Sequence, residues 1–283
     1  MKELLDYVNK TLQNSKKGSD IAFKTALKDG GELVAYLRAK KNSQKLYVMF
    51  NGALNRDRET PYSFHRWSWH NLFDGSVLYI ADASLIKYSN LRLAWYSGIR
   101  SFDFLDFITY FISQVSTFLG ATQIITYGSS NGGYTSLQVA SRIGKSATAV
   151  AINPQTVIWK YEIEPVKQFF KTCFDIDNIQ SYYDYLTSAK FNAIKAIEAS
   201  QCKVLYIQNT RDVFHYNNHY SPFMQSLGIS LSESSKVISD QENTRIKSYI
   251  YSHRSGHGPE TKDLVKDIID MVNFMNKGVY NNG

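Results

Sequence analysis

The run Gly128-Ser129-Ser130-Asn131-Gly132 constrains this chain more than any other stretch. Before it, residues 122–127 (Thr-Gln-Ile-Ile-Thr-Tyr) are β-branched and aromatic, the composition of a buried strand. After it, residues 133–143 carry apolar side chains at helical spacing. A strand that passes into a helix within so few residues must turn sharply. That turn forces the corner residue, Ser130, into strained backbone geometry. Gly128 and Gly132 then answer a steric demand, because a side chain at either position would collide across the turn. The expected product is an exposed hydroxyl at a helix N-terminus, beside a free backbone N–H able to bind an oxyanion.

Strand and helix signals elsewhere place this turn in a larger frame. Residues 2–13 read as a short amphipathic helix, followed by strands at 20–27 and 32–38 with Asp29-Gly30-Gly31 as a hairpin signal between them. Further strands are expected at 45–50, 76–81, 147–152, 203–208 and 246–251, with helices at 101–119, 217–227 and 260–276. Residues 155–200 interrupt the alternation. They are rich in Tyr, Phe, Lys and Asp at helical spacing and predict a helical cap inserted over the C-terminal edge of the sheet. No repeat or linker divides the chain. The expectation is an α/β fold in one domain over 1–283: a mostly parallel, doubly wound sheet with antiparallel N-terminal strands and the 155–200 cap.

Composition narrows the setting. At 283 residues the chain can bury a full core, and its net charge of +7 is spread along the sequence. That charge is compatible with an anionic substrate such as an acidic glycan or a phosphodiester polymer, but neither a nucleic-acid partner nor a membrane span is expected. Cys173 and Cys202 have no metal-site spacing and read as buried thiols of a reducing compartment. The N-terminus lacks the apolar core of a signal peptide, so a cytoplasmic location is expected. No metal and no bound cofactor are expected.

A serine hydroxyl at neutral pH needs a base to take its proton as it attacks, and an imidazole held by a carboxylate meets that need. His257, in Ser255-Gly256-His257-Gly258-Pro259 shortly after the 246–251 strand, is the preferred base; His253 is the competitor. His65 and His70 lie too early, and His215 and His219 follow the acid too closely. Asp212, just past strand 203–208, is the preferred acid, with Asp175 and Asp177 as alternatives inside the expected cap. The oxyanion donors are assigned to the amides of Asn131 and Ala53, with Leu54 open as the alternative to Ala53.

Arg56, Arg58, His65, Arg66, Trp67, Trp69 and His70 cluster in the 55–70 loop, and two readings stand for them. They form a substrate lip on which sugar rings stack while arginines hold acidic groups, or the tryptophans fill core and the arginines face water. Asp82 and the Trp95-Tyr96 pair are candidates for the pocket wall, with packing or capping as their plainer role.

The Gly-x-Ser-x-Gly turn with Ser130, Asp212 and His257 in that order resembles the α/β-hydrolase superfamily from about residue 32 to 276. Phe50-Asn51-Gly52-Ala53, Trp95-Tyr96-x-Gly98, Tyr127 to Gly133 and Asn153-Pro154-Gln155 resemble hydrolase-like proteins of bacterial capsule and surface-polysaccharide clusters. Accessory-secretion hydrolase-like proteins that modify glycans on exported adhesins are a more distant likeness. The resemblance implies acyl, often acetyl, transfer to or from sugar hydroxyls, by an O-acetyltransferase or an esterase, with a polysaccharide as substrate and acetyl-CoA as a candidate donor. The alternative expectation is a non-catalytic scaffold or glycan-binding partner in surface-polymer assembly.

Overall fold

The computed structural model describes residues 2–28, 31–178, 180, 183, 187–231, 237–239 and 245–276. Its strands are β1 (Ile21–Ala26), β2 (Glu32–Arg38), β3 (Lys45–Phe50), β4 (Ser76–Ile80), β5 (Gly98–Ile99), β6 (Phe102–Asp103), β7 (Gln123–Ser129), β8 (Ala147–Ile152), β9 (Lys203–Asn209), β10 (Val237–Ser239) and β11 (Ile246–Tyr251). Nine of them form one sheet in the order β1-β2-β4-β3-β7-β8-β9-β11-β10. The neighbours from β4 to β11 in that order run parallel, while β1, β2 and β10 are antiparallel to the strands they join. The expected mostly parallel sheet with antiparallel N-terminal strands is therefore present. Asp29 and Gly30 of the expected hairpin turn lie outside the described residues, although Ile21 pairs with Leu37 and Ala26 with Glu32 on either side of it.

The central strands read as continuous apolar runs because helices cover both their faces. All residues of β4 and β8 are buried. On one face, α1 (Lys2–Gln13) and α3 (Phe104–Leu119) pack Val8, Phe107, Phe111 and Val115 against Phe23, Leu46 and Ile124. On the other face the last helix, Lys262–Asn276, lays Val265, Ile268 and Val272 over Tyr47, Ile125 and Val150. Burying each such side chain contributes about 1.5–3 kcal/mol.

Local departures from the expected elements have local causes. Residues 98–103 form a two-stranded turn, so α3 begins at Phe104 where the Asp103 carboxylate accepts the Asp106 amide at its N-terminus. The helix expected at 217–227 is a composite over Val213–Ser226 that contains a wide turn at Tyr216–Tyr220. A short helix α2 (Ala83–Lys87) follows β4, and β10 closes the sheet edge; neither was expected.

Within 155–200, helices span Ile163–Phe174 and Ala193–Glu198, and Val157 bridges to Asn192. Residues 179, 181–182 and 184–186 of this stretch lie outside the described set. Val166, Phe169, Phe170, Phe174 and Phe191 share one core with Ala149, Val204 and Tyr206, so the apolar side of the insertion is continuous with the sheet.

Candidate active site

Strand β7 leads directly into α4 (Asn131–Ile143), and Ser130 stands at the corner with φ 54° and ψ −120°. Two of its neighbours must be glycine. A Cβ built on Gly128 would lie 2.4 Å from the Gly132 carbonyl, and one on Gly132 would lie 2.5 Å from the Phe50 carbonyl oxygen. The Ser130 amide donates to the Ile152 carbonyl at 2.9 Å, and its carbonyl accepts from the Tyr134 amide at 3.0 Å. The bend is fixed by backbone on both sides.

The structure brings Ser130, His257 and Asp212 together. Ser130 Oγ lies 3.0 Å from His257 Nε2, and His257 Nδ1 lies 2.6 Å from Asp212 Oδ2. A carboxylate only accepts, so His257 carries its proton on Nδ1 and accepts the serine proton at Nε2. Asp212 is the N-cap of the helix that begins at Val213, where its side chain accepts the His215 amide.

A second arm closes on the same serine. His215 Nδ1 lies 3.0 Å from Asp212 Oδ1, and its ring stacks on that of His257 at 3.9 Å and 9°. Gln155 Nε2 is 3.0 Å from His215 Nε2 and donates to Ser130 Oγ at 2.9 Å. Gln155 Oε1 accepts from the Trp95 indole N–H at 3.3 Å. Sequence reasoning set His215 aside for its closeness to Asp212. That spacing of three residues across a helix start is what lets both its amide and its ring reach the carboxylate.

Charge follows from these contacts. Burial alone would raise the Asp212 carboxyl, but the hydrogen bonds from His215 and His257 outweigh it and hold the group well below the usual carboxylate range. His215 is pushed down by burial against the raising effect of Asp212, and is neutral. His219 beneath it is pushed down to about 3, chiefly by burial and then by His215.

A buried neutral histidine binds fewer protons folded than unfolded, so its stabilising contribution is present above the ordinary imidazole value of 6.5 and is lost as pH falls toward about 3. The melting temperature is expected to drop between about pH 7 and about pH 4, and His219→Phe is expected to make that drop shallower. Circular-dichroism melts at the two pH values check this; an unchanged pH slope in the variant contradicts it.

On the other side of the serine, the Leu54 amide donates to the Arg92 carbonyl at 2.7 Å, which removes it as an oxyanion donor. The Ala53 amide makes no hydrogen bond among the described residues, and Ala53 is exposed. Asn131 opens α4, and its side chain joins two loops by accepting the Trp95 amide at 2.7 Å and donating to the Asn51 carbonyl at 3.1 Å. Gly52 is not a steric necessity: a Cβ there would come no closer than 3.5 Å to its neighbours, and its amide donates to His65 Nδ1. Trp95 and Tyr96 both hold left-handed backbone, at φ 49° and 52°. Asp82 pins this pair by accepting the Tyr96 amide at 2.8 Å while it caps α2, and burial pushes its carboxyl up to about 6.

A buried ion pair lies under the bend. Arg66 Nε and Nη2 each lie 2.6 Å from an oxygen of Glu260, and Nη2 donates to Ser129 Oγ at 3.0 Å. Tyr127 donates its hydroxyl to the same carboxylate at 2.7 Å. Burial opposes both charges, but each partner keeps the other ionised, Glu260 below its usual range and Arg66 above. One pair thus ties the 55–70 loop, the residue preceding Ser130, and the segment that follows His257.

The remaining sequence candidates are placed elsewhere. Arg56 donates to the carbonyls of Leu85, Tyr88 and Leu91, which explains its half-buried position as a loop anchor. Trp67 packs on Tyr36, Phe64 and Tyr79 under the Arg38 guanidinium, and Trp69 lies half-buried against the core on the last helix's side of the sheet, beneath the Arg66 guanidinium. Arg58 is exposed. None of the described contacts of these four residues involves Ser130, Asp212 or His257; Trp67 packs on its aromatic neighbours while staying exposed, and Trp69 is half-buried. Asp175 and Asp177 pair with Arg100 and Lys171 on the surface, and His253 Nδ1 is 2.8 Å from Ser255 Oγ. Asp212, His215 and His257 have potential cation-ligand atoms within 4.8 Å of one another, but both carboxylate oxygens already accept imidazole protons.

No protein-family model matches the sequence, and no curated protein matches it. Solved structures do. The dipeptidyl peptidase 4 of Porphyromonas gingivalis superposes with a TM-score of 0.60 at 15% identity, over 94% of this chain and 36% of that one. The glycosylation-associated Gap123 complex of Streptococcus agalactiae gives 0.60 at 15%, over 92% of this chain and 47% of that one. An acetyl xylan esterase from Paenibacillus sp. R4 gives 0.52 at 16%, over 96% of this chain and 92% of that one. The chain therefore spans less than half the length of the first two. At these identities the likeness is one of fold, and the fold is that of the α/β-hydrolases. Among the described residues no helix is long and apolar enough to cross a membrane.

Proposed function

We propose that the chain is a serine acyl-transfer enzyme acting on sugar esters or sugar hydroxyls of a bacterial surface polysaccharide. The observation that carries this is the alignment of a strained Ser130 with His257 Nε2 at 3.0 Å and Asp212 at the far side of the ring. Ser130 Oγ attacks the acyl carbon as its proton passes to His257 Nε2. The carbonyl pair moves to oxygen and is held by the amides of Asn131 and Ala53. Collapse expels the first alcohol or thiol, which takes the proton from His257, and leaves an acyl-serine. Water or a sugar hydroxyl then repeats the sequence in reverse. Hydrolysis and O-acetyl transfer share every one of these residues, with acetyl-CoA as the donor in the second case.

A groove of about 240 Å³ begins at Ala53 and runs between Leu91-Arg92-Leu93 and Tyr161-Glu162. Its place beside the proposed oxyanion donor and its mixed polar walls suit a sugar ring better than a long acyl chain. Two fold relatives are named for sugar chemistry, an acetyl xylan esterase and a glycosylation-associated complex, which supports the same reading.

The test supplies an O-acetylated polysaccharide alone, and separately acetyl-CoA with its deacetylated form, and follows O-acetyl signals by NMR. The expected result is loss of signal in the first or gain in the second, absent with Ser130→Ala. A folded wild type that does neither contradicts the proposal and favours a non-catalytic scaffold.

A further inference from the structure

Ser130 Oγ has one proton to donate and two lone pairs to offer. The proton faces His257 Nε2, and one lone pair accepts the Gln155 N–H at 2.9 Å. Only one lone pair is left to form a bond. Gln155 can point its nitrogen at the serine for a reason visible on its other side. His215 is neutral and gives its only ring proton to Asp212, so its Nε2 is a bare acceptor. The second hydrogen of the Gln155 amide fills that acceptor at 3.0 Å, while the Trp95 indole N–H occupies the amide oxygen. Every proton in the loop Ser130–His257–Asp212–His215–Gln155 then has a single consistent place. Turning the Gln155 amide over would set its oxygen against His215 Nε2 and its nitrogen against the indole N–H, two mismatches inside a buried site.

We propose that Gln155 is a catalytic hydrogen-bond donor to the nucleophile and that His215 is the positioning residue that fixes the direction of its amide. The proposal rests on Ser130 as the nucleophile. As the Oγ proton passes to His257, the electron pair left on Oγ is held by the Gln155 N–H until it forms the bond to the acyl carbon. When the acyl–Oγ bond later breaks, the pair returns to Oγ, the proton comes back from His257, and the same N–H receives the developing charge. His215 touches no reacting atom and acts through Gln155 and Asp212.

The test is the rate at which a fluorophosphonate probe labels the full-length protein. Gln155→Ala is expected to label about tenfold more slowly than wild type, the worth of one hydrogen bond. Two replacements of His215 separate its contacts. A glutamine places an acceptor where Nε2 was and retains Gln155; an asparagine places a donor where Nδ1 was and retains only Asp212. Both lose the same ring stack, so the comparison cancels packing. His215→Gln is expected to label several-fold faster than His215→Asn, and Gln155→Ala combined with His215→Asn is expected to be no slower than the slower single variant. Wild-type labelling by Gln155→Ala, equal rates for the two His215 variants, or multiplied losses in the double variant would each overturn the proposal. An unlabelled wild type would instead remove the nucleophile assignment, and this inference with it.

Discussion

A His257→Ala protein is expected to turn over p-nitrophenyl acetate on the order of 10⁴-fold more slowly than wild type, with little change in KM. The reason lies in where the proton goes. His257 Nε2, at 3.0 Å, is the acceptor to which the Ser130 hydroxyl donates. Without it the hydroxyl must ionise unaided, far from its ordinary range at neutral pH. His215 cannot substitute although it shares Asp212, because its free nitrogen meets Gln155 and reaches Ser130 only through that amide. A loss of under tenfold in steady-state assays would show that another group takes the proton.

The second large effect concerns stability. Glu260→Leu leaves the Arg66 guanidinium charged, buried and without its carboxylate, and is expected to destabilise the fold by about 3–5 kcal/mol. Arg66→Met combined with Glu260→Leu removes both charges together and is expected to recover most of that loss, because the pair's desolvation cost disappears with it. Urea unfolding of the two single variants and the double variant measures the coupling. If the single losses simply add, the ion pair is not what joins the 55–70 loop to the segment after His257. The double variant also reports on function, since Ser129 Oγ loses its donor next to the bend.

What could be read from the sequence was what local geometry dictates. Gly128 and Gly132 announce the sharp turn because backbone there approaches within 2.4–2.5 Å of where a side chain would start. The alternation of buried strands with amphipathic helices announces the parallel sheet. Long-range pairings were not legible in this way. Arg66 and Glu260 are 194 residues apart and meet only because their loops converge under β7. Arg66 passed as one basic residue of a loop, and Glu260 as the expected start of the last helix, which in fact begins at Lys262. Gln155 stands in Asn153-Pro154-Gln155, and nothing in that run says that its amide faces Ser130. Trp67 and Trp69 illustrate the opposite case. Their aromatic character fits sugar stacking and core packing equally, and the sequence could not show that Trp67 packs on Tyr36 and Tyr79 while remaining exposed.

The central claim is that Ser130 becomes acylated. Brief incubation with p-nitrophenyl acetate, an acid quench and peptide mass mapping test it directly. The account expects a single acetyl group on the peptide that contains Ser130, absent from Ser130→Ala. An acetyl group carried on a different residue, or turnover with Ser130 unmodified and its alanine variant fully active, would contradict it.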